Sequence, residues 1–221
     1  MKDLQTPQLF DAFDALQQIH GDKNLLSVYG AGCIKQPKLF LLFMNPTGRN
    51  VSCIPWWKWI HAPRLGTKNI WKLLTSIWAI SEKTFGQIQN MKPADRTEEI
   101  SLKIYQEIAS NDVYISNLAK CTQADARPLH DNVFKEYLNL IREEIEYIDP
   151  QHIITFGNQV SSIVLEKKVT VSSYTKDDYQ LLKIKDHKYK VYPTFYPVGQ
   201  GMRNLPNAIE RIKYIIAPDH E

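Results

Sequence analysis

Cysteine is scarce in this sequence: its 221 residues include three, Cys33, Cys53 and Cys121, far apart from one another. An odd number, with no CxxC pair and no histidine at ligand spacing, supports neither a disulfide framework nor a zinc site, so reduced thiols are expected. Long apolar runs are also missing. The longest falls far short of the roughly 20 residues that a membrane helix needs, and no charged-then-apolar leader opens the chain. The expectation is a soluble, cytoplasmic protein that does not engage a membrane. Internal repeats and low-complexity tracts are absent too. Acidity is missing from one long stretch. Between Asp22 and Glu82 there is no Asp or Glu, while Lys23, Lys35, Lys38, Arg49, Lys58, Arg64, Lys68 and Lys72 fall inside that window. The net charge is only +3, so the basic character is local. A positive stretch favours an anionic ligand, most commonly phosphate; a solvated face neutralised by acids from elsewhere in the fold gives the same pattern.

With 43% hydrophobic and 23% charged residues, the chain is long enough for one well-buried α/β core and short for two. A single domain over 1–221 and a monomer are expected. The organising stretch is PKLFLLFMNPTGRN at positions 37–50. Residues 39–44 are apolar without alternation, which suits a strand buried on both faces of a parallel sheet. Asn45 ends the run, and Pro46 and Gly48 turn the chain. Open α/β sheets place their ligand sites at this carboxyl edge.

Taken in order, residues 6–20 read as a helix with Thr6-Pro7 at its start and Gly21 as its stop. Residues 25–37 read as a loop. Positions 53–63 are crowded with Trp56, Trp57 and Trp59 beside Pro55, Lys58 and His61; flat rings next to cations suit a site that stacks a nucleobase and holds its phosphates, and equally suit a core cluster. Helices are expected at 67–80 and 97–110, with 83–95 polar and weakly patterned between them. A strand over 113–116 again ends in an amide, Asn117. A long helix over 131–147 precedes a strand at 152–156, and Gly157-Asn158 turns into a helix through about 165. Residues 179–184 and 189–195 pair as a hairpin or hairpin-like edge, leading into the glycine-bearing loop YPVGQGMRN at 196–204 and a closing helix over 205–216. The alternation predicts a three-layer α/β/α architecture around a central, mostly parallel four-stranded sheet.

These motifs, in this order, resemble the uracil-DNA glycosylase superfamily. A strand ending in an NPG-like turn, WWKWIHAP ahead of NIWKLL, YISNLAKC, a strand ending in glycine and YPVGQGMRN span about 28–216. The first part looks most like the mismatch-specific and single-strand-selective uracil glycosylases; YISNLAKC looks more like the thermophile-type enzymes. The resemblance implies a monofunctional DNA N-glycosylase that flips out uracil or a related damaged pyrimidine, its partner being DNA that contains such a base. A superfamily member that binds nucleic acid or a nucleotide without excision is the alternative.

Carried over residue by residue, the resemblance gives Asn45 the placing of the attacking water, with Tyr196 as the second catalytic position. Substrate contacts would come from Met44, Pro46, Trp59, His61 and Asn117. Asn117 would read the base edge, and one of Trp56, Trp57 and Trp59, with Trp59 favoured by its place just ahead of Ile60-His61, would stack on it. DNA contacts would come from Arg49, Lys120, Gly199, Gln200, Met202 and Arg203, with Gln200 or Met202 filling the gap in the duplex. Tyr196-Pro197-Val198 stands where many members have His-Pro-Ser, and Thr47 separates Pro46 from Gly48. The thermophile-type members hold an iron-sulfur cluster on four cysteines, of which only Cys121 has a counterpart here, so no cofactor and no metal are expected.

Overall fold

A computed structural model of the protein describes residues 7–48, 68–92, 95, 97–126, 129–197 and 199–217. In chain order its elements are helix α1 (Pro7–His20), the short strand β1 (Ala31–Gly32), strand β2 (Leu39–Phe43), helices α2 (Lys68–Ser76), α3 (Glu82–Asn90) and α4 (Glu98–Ser110), strand β3 (Val113–Asn117), helix α5 (Asp131–Ile148), strand β4 (His152–Phe156), helix α6 (Asn158–Val164), strands β5 (Gln180–Ile184) and β6 (His187–Thr194), and helix α7 (Leu205–Ile215). The six strands form one sheet in the order β1-β3-β2-β4-β6-β5.

The inner strands β3, β2, β4 and β6 are parallel to their neighbours, and both edges are antiparallel. The expected four-stranded sheet is thus the middle of a six-stranded mixed one. Each extra strand has a local cause. At β1, Gly32 has φ +120° and lies so close to β3 that a Cβ would sit 2.2 Å from the Val113 carbonyl oxygen; only glycine permits that approach. At the other edge a two-residue turn, Lys185-Asp186, joins β5 to β6 in register Ile184 to His187, with Lys185 at φ 50°, as tight hairpins of right-handed twist require.

Period-2 geometry sorts the buried run of β2 into two layers. Leu39, Leu41 and Phe43 pack with α2, α3, α4 and α7; Phe40 and Leu42 pack with α1, α5 and α6. All five are buried, each worth about 1.5–3 kcal/mol of apolar burial. Helix α3 lies where the sequence reads as polar and weakly patterned: Ile88 is its one buried residue, so apolar periodicity is nearly absent, yet the Ser81 side chain caps it by accepting from the Thr84 amide. Helix α2 ends earlier than expected. Thr75 Oγ1 donates back to the Trp71 carbonyl at 2.8 Å, and Trp78 takes φ 61°.

From β2 the chain reaches β3 on one side through α2–α4, then β4 on the other side through α5. In open α/β sheets such a reversal of direction is where a crevice forms, here at the carboxyl end of β2.

Candidate functional site at the carboxyl edge of the sheet

Beyond the ends of β2 and β3 the chain segments continue side by side. The Phe43 carbonyl accepts from the Leu118 amide at 2.8 Å, Met44 from Ala119 at 3.0 Å and Pro46 from Gln123 at 3.1 Å, while the Gly48 amide donates to the Gln123 carbonyl at 2.7 Å. The turn at 44–48 is therefore braced along its length by residues 118–123. Asn45 is half-buried, and its Nδ2 donates to the Pro46 carbonyl at 3.2 Å.

Phe43 and Asn117 are partners in the β2–β3 register, so their side chains share the face that carries α2, α4 and α7. On that face the Phe43 ring stacks on Phe156, with centroids 4.3 Å apart and planes at 18°. Tyr196 meets Phe43 edge-on at 6.4 Å and 72°. The loop after β6 folds back on Tyr196: a Cβ on Gly201 would lie 1.7 Å from the Tyr196 carbonyl oxygen, so position 201 requires glycine. Gly199, at φ 60°, is exposed. Residues from four strand ends thus converge on one crevice wall.

The expected site residues fare differently. Asn117 and Tyr196 both neighbour Phe43, and Asn45 follows Phe43 by two residues in the turn. Met44 is half-buried and packs toward the opposite layer, and Pro46 is buried in its turn. Arg203 is exposed, whereas Met202 is half-buried against the core; the Gln200 side chain is outside the described residues. So are Arg49, Trp56, Trp57, Trp59 and His61. Of the acid-free window, Lys35 and Lys38 precede β2 and lie at the opposite, amino edge of the sheet, so the positive stretch does not gather wholly at the site.

Lys120 is a correction. It is fully buried, with Nζ 2.6 Å from Glu144 Oε2, bonded also to Ser116 Oγ and 5.0 Å from the centre of the Phe13 ring. A phosphate cannot reach it. Its partner arrives on α5, 24 residues along the chain, a pairing that sequence spacing does not reveal. Phe43 and Phe156 are not among the candidates that the sequence offers. Their signal is positional, since each is the last residue of a buried strand.

Titration follows the same division. Burial first, then the Glu144 carboxylate, holds the Tyr114 phenol well above the ordinary tyrosine range. Burial likewise pushes up the Cys121 thiol, which lowers its thiolate character. Among the described residues no three His, Cys, Asp or Glu side chains gather as a metal site. Three cysteines do not fit a four-cysteine cluster.

The sequence model of the Uracil DNA glycosylase superfamily matches residues 57–212, well over half of the chain. The protein belongs to that superfamily. The matched span contains Asn117, Tyr196 and Arg203 and begins after Asn45. No curated protein matches the chain. Among the described residues no helix is long and apolar enough to cross a membrane.

Proposed function

We propose that the protein is a monofunctional DNA glycosylase that extrudes uracil, or a related damaged pyrimidine, and hydrolyses its N-glycosidic bond. The observation that carries this reading is the register pairing of Phe43 with Asn117, which sets an amide beside a stacked aromatic pair beneath the Asn45 turn. Asn117 offers a donor for uracil O4 and an acceptor for N3–H; cytosine presents the reverse pattern. Asn45 Nδ2 is held by the Pro46 carbonyl, which leaves Oδ1 to accept from a water and aim its lone pair at C1′. The departing base leaves an oxocarbenium-like sugar, so a placed water suffices and no carboxylate base is required. Tyr196 supplies a neutral hydroxyl toward the base, a weaker partner for developing charge than an imidazolium. Arg203, exposed after the glycine loop, faces a backbone phosphate.

The rival reading, binding without excision, is favoured by that same Asn45 bond to its own turn and by tyrosine at position 196. One comparison separates them: release of free uracil from a uracil-containing oligonucleotide, set beside binding of the same oligonucleotide. Release that persists in EDTA is expected. Binding with no released base, or release abolished by EDTA and restored by a metal, would overturn the proposal.

A further inference from the structure

A cavity of about 390 Å³ lies beside the carboxyl end of β6, between the 171–176 segment and α7, and its walls include Thr194, Phe195, Tyr174, Lys176, Asn207 and Arg211. We infer that it binds a small phosphate-bearing molecule of nucleoside monophosphate size, a role independent of base excision. Two of its lining side chains are buried with polar atoms left over. Thr194 is 1% exposed and Arg211 is 6% exposed, and neither Thr194 Oγ1 nor Arg211 Nε has a hydrogen-bond partner among the described residues. Buried polar groups without partners carry an uncompensated desolvation penalty. Both atoms donate, so an oxyanion accepting from them removes the penalty twice.

The rest of the guanidinium is fixed. Arg211 Nη2 donates to the Asp178 carbonyl, and the group lies 5.6 Å from the centre of the Tyr174 ring. The neighbouring acids Asp178 and Asp177 act electrostatically on Arg211, but both are held by Thr175: the Asp178 carboxylate accepts from the Thr175 amide at 2.7 Å, and the Thr175 hydroxyl lies 2.8 Å from Asp178 and 2.7 Å from Asp177. Lys176 is exposed at the mouth, so the lining carries two cations, Lys176 and Arg211, against one carboxylate, Glu210. The volume exceeds that of a bare ion and falls in the range of small-molecule pockets, with Tyr174 and Phe195 as its apolar walls.

The test is calorimetric titration of the whole chain with inorganic phosphate, deoxyadenosine monophosphate and uncharged deoxyadenosine, with amide resonances followed by NMR. Phosphate and the nucleotide should bind, deoxyadenosine should not, and the shifts should centre on Thr194, Phe195 and Arg211. Thr194→Val, which keeps the shape, should weaken nucleotide binding about tenfold; Lys176→Ala, at an exposed position, should weaken it less and more strongly at low salt. If uracil-free duplex DNA displaces the nucleotide, the oxyanion is a backbone phosphate; if it does not, the ligand is a free nucleotide, and either result keeps the site. Absence of saturable phosphate and nucleotide binding, indifference to both substitutions, or shifts centred on Asn45 and Asn117 would overturn the inference.

Discussion

Ser116 and Asn117 are neighbours in β3, each 1% exposed, yet they serve opposite layers. Ser116 faces α5, where its hydroxyl lies 3.0 and 3.1 Å from the two Glu144 oxygens. Tyr114 donates to Glu144 Oε1 at 2.9 Å, and Lys120 closes the group. Asn117 faces the layer of Phe43, Phe156 and Tyr196. On one side of the strand end the polar groups close an ionic cluster inside the protein; on the other an amide sits on the face where the proposed substrate edge would lie. Polar burial alone therefore does not mark a site, and the face on which it occurs decides its use. The ionic group makes β3 costly to displace without adding much net stability, because desolvation offsets most of the attraction in such pairs.

The sharpest way to break the contrast is on the ionic side. Lys120→Met or Glu144→Gln alone should cost about 3–5 kcal/mol in denaturant unfolding, since each disrupts a buried charge pair, whereas the double replacement Lys120→Met with Glu144→Leu should cost far less. Equal losses for the single and double variants would show that packing, not charge pairing, dominates there.

On the site face the expected signature is functional. Asn117→Asp exchanges a donor for an acceptor opposite O4, so uracil release should fall about 10–100-fold, or ~1.4–2.7 kcal/mol in the barrier, with DNA affinity little changed. Equal loss of binding to uracil-containing and undamaged DNA would contradict a reading role.

A smaller effect belongs to the outer helices. Burial would raise the Glu107 pKa, but hydrogen bonds from Thr84 and Ser81 outweigh it, and the group titrates below the ordinary glutamate range. Because the folded value is the lower one, its stabilisation is complete above the unfolded pKa and is lost as pH falls through the folded value. Glu107→Gln should thus cost under about 1 kcal/mol near neutrality and flatten the acid limb of the stability profile. Urea unfolding of both proteins across that range measures it.

Much of this layout was legible in the chain. The unbroken run of β2, the strand at 152–156 and the helix over 97–110 each carry a strong local pattern, and three strand ends were marked by Asn45, Asn117 and Gly157. What was not legible arises from contacts distant in sequence. Strand β1 exists because Gly32 admits the backbone of Val113; α3 has a cap but almost no buried face; Lys120 looks like a surface cation until Glu144 arrives from α5. Charge counted along a window misled for the same reason, because Lys35 and Lys38 belong to the opposite edge of the sheet.

Asn45 stands at the join between the two readings, since its side chain already serves its own turn and is also proposed to place the water. Single-turnover base release by Asn45→Ala, measured with the melting temperature on the same preparation, tests this most directly. Loss of the 3.2 Å bond to Pro46 should cost about 1 kcal/mol, or ~2–4 °C, while base release per folded molecule should fall about a hundredfold, ~3 kcal/mol in the barrier. An unchanged rate per folded molecule beside a lowered melting temperature would make Asn45 a turn residue only and remove it from the proposed chemistry.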